Sequence, residues 1–192
     1  MGYRAEYLRR QMLDDLRQFS KSTKLTAGSE ILTEYPFEMA LDDSVVIRGR
    51  IDRIDKLPGG RALIVDYKYS APGRVTEKLT NESLLQGGLY ALAVERTLGL
   101  EPAGVFYFGL KDTLRVAGWS DPPNAFGAGS EALTRQWIES AASRARAAAE
   151  EIRAGRIAPE PASPDLCRTC DFRDVCRYKG AAPALAARAP GT

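Results

Sequence analysis

Gly49-Arg50-Ile51-Asp52-Arg53-Ile54-Asp55 and Ala62-Leu63-Ile64-Val65-Asp66-Tyr67-Lys68, separated by the turn signal Pro58-Gly59-Gly60, decide how this chain is read. Apolar and polar residues alternate from Ser44 to Ile54, the period of a half-buried strand, and Ala62 to Tyr69 reads as a second strand. With the turn centred on Gly59, residue i faces residue 118−i, and Asp52 then faces Asp66. Side chains two apart leave a strand on the same side, so Asp66 and Lys68 stand about 7 Å apart on one face. Two carboxylates directly opposite repel each other. A shared proton, a bridging cation or a different register would relieve the conflict. A hard divalent ion with oxygen ligands is the natural cation, and Mg²⁺ suits a site with few carboxylates and several waters. Asp and Lys on an exposed strand face are ordinarily solvated. Here, however, Asp66 follows Leu63-Ile64-Val65 and Asp52 stands beside Ile51, surroundings in which an unpaired carboxylate is costly. Asp55, nearer the turn and of opposite parity, reads as a surface residue.

Outward from this hairpin the periodicity is equally directive. Tyr3, Tyr7, Leu8, Met12, Leu16 and Phe19 recur every three or four residues and predict an amphipathic helix over 3–19. A polar linker, Ser20 to Ser29, leads to an extended apolar stretch from Glu30 to Leu41. Beyond a loop at Pro72-Gly73, residues Asn81 to Leu98 read as a helix with Leu85, Leu89, Leu92 and Leu98 on related faces. Gly87 and Gly88 inside it cost about 1 kcal/mol each in helix propensity, which close packing would justify. Gln86 and Tyr90, four apart, share a face of that helix. Ala103 to Leu110 predicts a buried strand, Leu114 to Trp119 an edge strand, and Ser130 to Gly155 a long Ala/Arg/Glu helix. Cys167, Cys170 and Cys176 form a compact cysteine-bearing loop, open to reading as a zinc-type knuckle or as three free thiols. The Ala/Pro-rich stretch from Gly180 to Thr192 predicts disorder. The order of elements implies a mixed sheet flanked by helices.

Composition excludes several classes. The 192 residues carry 27 Lys+Arg against 25 Asp+Glu, a net charge of +2, so any basic surface is local. Histidine is absent, which removes every His-based triad, zinc peptidase and general base. No apolar run approaches 18 residues, so no membrane span is expected. The first residues do not resemble a secretory signal, and three cysteines do not pair evenly, so a reducing cytoplasmic setting is expected. A carboxylate-pair glycosidase fits badly, because Lys68 beside Asp66 is not what flanking a sugar bond requires.

Taken together, Gly49 to Asp55, Ile64 to Lys68, and Gln86 with Tyr90 resemble the RecB/AddB-type nucleases of the PD-(D/E)xK superfamily, and Glu34-Tyr35-Pro36-Phe37 resembles the strand that precedes this block. The resemblance runs from about Glu30 to Cys176. It implies a restriction-endonuclease-like αβββαβ core with a mixed central sheet, and Mg²⁺- or Mn²⁺-dependent hydrolysis of DNA in repair or recombination. It implies Asp52 and Asp66 as metal ligands, Lys68 as the group that orients or activates water, and Gln86 and Tyr90 as support for the site and contacts to the DNA backbone. Basic residues Arg48, Arg50, Arg53, Arg74 and Lys78 are candidates for a DNA channel, although a solvated surface is the ordinary reading for most of them. Cys167, Cys170 and Cys176 resemble the carboxy-terminal triplet of iron–sulfur nucleases, which implies a [4Fe–4S] cluster, incomplete here because no cysteine precedes Cys167. The family's further upstream metal ligand is also missing, as though an amino-terminal portion were lacking. No G-x-x-x-x-G-K-[ST] loop occurs, so a helicase partner would lie outside this sequence. The expected organisation is a helix and linker over 1–29, the nuclease core over 30–158, the cysteine segment over 159–179 and a disordered tail over 180–192. The alternative to an active exonuclease domain is an incompetent nuclease-like module that binds DNA or a helicase.

Overall fold

Nine regular elements build the main body of the computed structural model, which describes residues 3–22, 30–69, 85–112, 115–124, 130–159, 161, 163–170, 172–173 and 175–176. They are α1 (Tyr3–Ser22), β1 (Glu30–Ala40), β2 (Val46–Leu57), β3 (Arg61–Lys68), α2 (Leu85–Leu98), β4 (Glu101–Gly109), β5 (Arg115–Ser120), β6 (Ser130–Ala132) and α3 (Arg135–Arg153). The Pro72-Gly73 loop, the first residues expected in α2 (81–84), Arg74, Lys78 and the tail from Gly180 lie outside the described residues. Two compact units divide the chain, Met1–Ala148 and Ala149–Thr192. The sheet lies in the first; the second holds a 3₁₀ helix, Pro164–Thr169, and the three cysteines.

The six strands form one sheet in sequence order. β1–β2, β2–β3 and β4–β5 pair antiparallel, whereas β3–β4 and β5–β6 pair parallel, so the sheet is mixed as expected. The β2–β3 hairpin turns through Gly59 and Gly60, both at positive φ (76° and 73°), a conformation that glycine adopts without steric cost. Its register is the symmetric one, from Leu57↔Arg61 through Arg53↔Val65.

One face of the sheet carries Leu63, Val65, Phe106 and Phe108, with Phe19 of α1 packed edge-on against Tyr67 and Phe108 at centroid distances of 5.5 and 6.1 Å. Asp15 anchors the same end of α1: its carboxylate accepts from the Tyr69 hydroxyl (2.8 Å) and the Asp112 amide (3.2 Å). The predicted apolar stripe of α1 is otherwise unused, since Tyr3, Tyr7, Leu8, Met12 and Leu16 are exposed.

The opposite face is covered by α2, and α2 by α3. The glycine pair explains this closeness. A Cβ on Gly87 would stand 2.6 Å from the Tyr107 hydroxyl and 3.2 Å from Val105, while one on Gly88 would collide with Ala141 Cβ of α3. Trp119 and Trp137 stack at 4.4 Å between sheet and α3. Gly88→Ala is therefore expected to destabilise the fold. Overpacking costs about 1–3 kcal/mol, more than the roughly 1 kcal/mol regained in helix propensity. Denaturant unfolding should show a lowered midpoint that Ala141→Gly restores in the double variant.

Two expectations are corrected. The stretch expected to be helical from Ser130 begins instead with β6, and α3 starts only at Arg135. Consequently β5, expected at an edge, is an interior strand paired to both β4 and β6, with the Ser120 and Ser130 hydroxyls 2.6 Å apart across the new pair.

Candidate active site

Asp66 lies near the end of β3 and is almost fully buried, 2% exposed, as its apolar approach Leu63-Ile64-Val65 implies. A lone carboxylate there would be heavily penalised. Lys68, two residues on and on the same side, answers it with Nζ at 2.7 Å from Oδ2. The ammonium also donates to Gln86 Oε1 (3.0 Å), Gln86 Nε2 donates to the Tyr90 hydroxyl (2.7 Å), and that hydroxyl donates to the Arg50 carbonyl (2.8 Å). One hydrogen-bonded chain thus ties β3 to the first turns of α2 and back to β2. The i, i+4 spacing of Gln86 and Tyr90 makes the central link possible.

Asp52 joins the same end of β3 by a different route. The paired ladder stops at Arg53↔Val65, one position short of Asp52 and Asp66. There the half-buried Asp52 extends its carboxylate to β3 and accepts the Tyr67 amide at 2.9 Å. The side chain takes over a main-chain position in the ladder. Burial holds the Tyr90 phenol above its ordinary pKa; the Gln86 hydrogen bond opposes this, and the charges of Asp66, Asp52 and Glu34 reinforce it. Burial, followed by the charge of Asp66, likewise raises Tyr107, which pairs with Asp66 across β3–β4.

Sequence reasoning passed over Glu34 as a charge near this site. It sits in β1 with φ of 51°, at the position skipped between Thr33↔Arg53 and Tyr35↔Ile51. Its carboxylate lies 3.6 Å from Arg50. The only available signal was its place ahead of Tyr35-Pro36-Phe37; an unusual backbone angle leaves no mark on composition.

Asp55 requires a correction. It is fully buried, not at the surface, and Arg53 grips it with two hydrogen bonds of 2.6 and 2.7 Å while also reaching the Tyr67 hydroxyl at 3.4 Å. The opposite parity was right, but the face it points to is itself covered. Arg53 is thereby committed to Asp55, whose hydrogen bond raises its pKa further, and is not a free channel cation. Arg48 and Arg50 remain at the surface, paired with Glu38 and Glu34.

Of the two hard carboxylates that sequence reasoning offers to a metal ion, Asp52 comes from β2 and Asp66 from β3. Among the described residues no group of three His, Cys, Asp or Glu side chains gathers around one point. Such a set suits a divalent ion that keeps several waters, as Mg²⁺ does, and does not suit a closed zinc or calcium cage. Cys167 is partly buried and Cys170 and Cys176 are exposed; all three are free thiols.

The sequence pattern of the PD-(D/E)XK nuclease superfamily matches residues 2–177. This chain belongs to that superfamily. Its α/β architecture, with a mixed six-stranded sheet between helices, is the superfamily's restriction-endonuclease-like fold. Among curated proteins, the chain is 43% identical over 74 residues to a subunit of an ATP-dependent helicase/deoxyribonuclease of Streptococcus equi subsp. zooepidemicus, a match covering 36% of this chain. It is 36% identical over 81 residues, 42% of this chain, to the ATP-dependent helicase/deoxyribonuclease subunit of the same name from Streptococcus agalactiae serotype Ia. Both matches span only 7% of the relatives' length. The crystal structure of SSO0001 is similar in fold, with a TM-score of 0.51 at 16% identity, covering 86% of this chain and 69% of that one. No described helix is long and apolar enough to cross a membrane.

Proposed function

We propose that this chain is a Mg²⁺- or Mn²⁺-dependent deoxyribonuclease domain of the RecB/AddB type that hydrolyses phosphodiester bonds in DNA during repair or recombination, associated with a helicase. The observation that carries the reading is the Asp66–Lys68 pair on β3, with Asp52 alongside and Lys68 held by Gln86. Superfamily membership and the names of the helicase/deoxyribonuclease relatives support DNA as substrate and a helicase as partner.

Asp52 and Asp66 would hold the ion. When bound, it makes water more acidic and offsets charge on the phosphate. Lys68 supplies a fixed positive charge where the attacked phosphate gains negative charge, and preorganisation of such a charge is a large catalytic effect. Gln86 keeps the ammonium directed, and Tyr90 locks Gln86 to the Arg50 carbonyl. Cys167, Cys170 and Cys176 offer three of the four thiolates of a [4Fe–4S] cluster, so no step is assigned to it.

The deciding experiment is incubation of the chain with linear DNA in Mg²⁺ or Mn²⁺ against the same reaction in EDTA. Metal-dependent degradation supports the reading. DNA that is bound but unchanged supports the second reading, an incompetent module that binds DNA or a helicase. In the active case, Tyr90→Phe should slow cleavage roughly five- to thirtyfold, because it removes both hydrogen bonds of the phenol, each worth about 1 kcal/mol of Lys68 positioning. Single-turnover rates on a defined oligonucleotide check it.

A further inference from the structure

Behind the Asp66–Lys68 pair stands a group that the hydrogen-bonded chain from Lys68 to Arg50 does not use. Tyr107 of β4 is the registered partner of Asp66 across the parallel β3–β4 pair, so the two side chains leave the sheet on the same side. Both residues are buried. The phenol ring is held edge-on by Trp119 at 6.3 Å. Its hydroxyl lodges against the first turn of α2, where a Cβ on Gly87 would stand 2.6 Å from it. Gly87 follows Gln86, whose carboxamide holds Lys68. The hydroxyl oxygen is closed to solvent, and nothing among the described residues accepts its proton. The neighbouring Gly87 amide is itself a donor.

A buried hydroxyl without an acceptor is costly, and at a purely structural position phenylalanine would fill the same space without that cost. Among the charges that act on the phenol, that of Asp66 is the largest; after burial, it is what raises Tyr107 above its ordinary pKa. The same carboxylate is the natural acceptor for the proton. Asp66 now answers to the Lys68 ammonium at 2.7 Å. More is asked of that ammonium, which also donates to Gln86 and, in the nuclease reading, offsets the charge gained by the attacked phosphate. An ammonium drawn by a phosphate divides its charge between two anions. Asp66 then keeps less of its countercharge, and at 2% exposure it has little water to replace it. A neighbouring hydroxyl with an uncommitted proton can replace it.

We propose that Tyr107 is a positioning residue of this site, whose hydroxyl donates to the Asp66 carboxylate when the Lys68 ammonium shares its charge with a phosphate. The proposal rests on the nuclease reading above and adds the residue that keeps Asp66 in place during the reaction. The first test is a double-mutant cycle with the full chain in EDTA at neutral pH, read by denaturant unfolding. In the unaltered background, Tyr107→Phe should leave the unfolding equilibrium within about twofold or favour the folded state, because the hydroxyl has no acceptor to lose. In Lys68→Ala, and in Lys68→Met, which keeps an aliphatic stem, the same change should favour unfolding about tenfold, the scale of one hydrogen bond to a charged group. An equal effect of Tyr107→Phe in every background overturns the proposal. The second test is single-turnover cleavage of an oligonucleotide. Tyr107→Phe should cut about tenfold more slowly, with DNA affinity within about twofold of the unaltered chain. A rate within about twofold, or slowing matched by lost affinity, overturns the proposal. If the unaltered chain cuts no DNA, the nuclease reading is what fails, and the cycle alone judges Tyr107. If neither Lys68 variant folds, the cleavage rate alone judges it.

Discussion

Asp66→Ala is expected to reduce metal-dependent DNA degradation by about 10³-fold or more while leaving the chain folded. The side chain has two duties, and alanine removes both. In the proposed function it is one of two carboxylates that would hold a divalent ion, and it fixes the Lys68 ammonium at 2.7 Å. Loss of a single preorganised charge-stabilising group commonly costs 10²–10³ in rate, and here two effects fall together. The fold tolerates this change because Lys68 is a quarter exposed and regains water when its partner is gone. Lys68→Ala should abolish activity equally but behave differently as a folded protein. It leaves Asp66 buried without the Lys68 ammonium, and removing one member of a buried ion pair is strongly destabilising. A divalent ion that binds Asp52 and Asp66 would relieve that penalty. Mg²⁺ should therefore raise the melting temperature of Lys68→Ala more than that of the unaltered chain, since a ligand for the folded state stabilises in proportion to its affinity. Equal shifts in the two proteins, or full DNA degradation by Asp66→Ala, would remove the carboxylates from the site.

The hairpin was legible because its signals are local. A Pro-Gly-Gly turn fixes the register of its flanking strands, and period-two alternation assigns the sides; the observed pairs from Leu57↔Arg61 to Arg53↔Val65 follow from those two facts. Burial of Asp66 was legible from the apolar run before it. What stayed hidden depends on partners distant in sequence. Parity placed Asp55 on the other side of the sheet but carried no information about what covers that side, which is Phe19, from 36 positions earlier, packed on Tyr67. β6 has only three residues, Ser130-Glu131-Ala132, too few to show a period and similar in composition to the helix that follows. The stripe on α1 shows the converse: a correct helix whose apolar residues, Phe19 apart, are mostly exposed. The end of the ladder at Asp52 was equally invisible, because it arises when a side chain replaces a main-chain acceptor.

Asp55→Ala should be the most destabilising single change within the hairpin, costing about 3–5 kcal/mol, the range seen when one member of a buried ion pair is removed. Asp55 is fully buried and the Arg53 side chain only 15% exposed, so the guanidinium left behind keeps a single 3.4 Å contact to the Tyr67 hydroxyl. Desolvation that the bidentate pair now offsets would stand uncompensated. Denaturant unfolding at neutral pH measures the loss. The pair is not expected to add net stability over a well-packed apolar substitute, so Arg53→Met combined with Asp55→Leu should recover most of it. Recovery in the double variant separates a desolvation penalty from simple loss of packing volume, which Arg53→Met alone would not repair. Because Asp55 faces away from Lys68 and Gln86, and the one shared neighbour, Tyr67, serves Asp52 through its amide and Arg53 through its hydroxyl, the double variant should cut DNA at a rate within about twofold of the unaltered chain. A cost below 1 kcal/mol for Asp55→Ala would mean that water reaches the pair and that the carboxylate is not a core element.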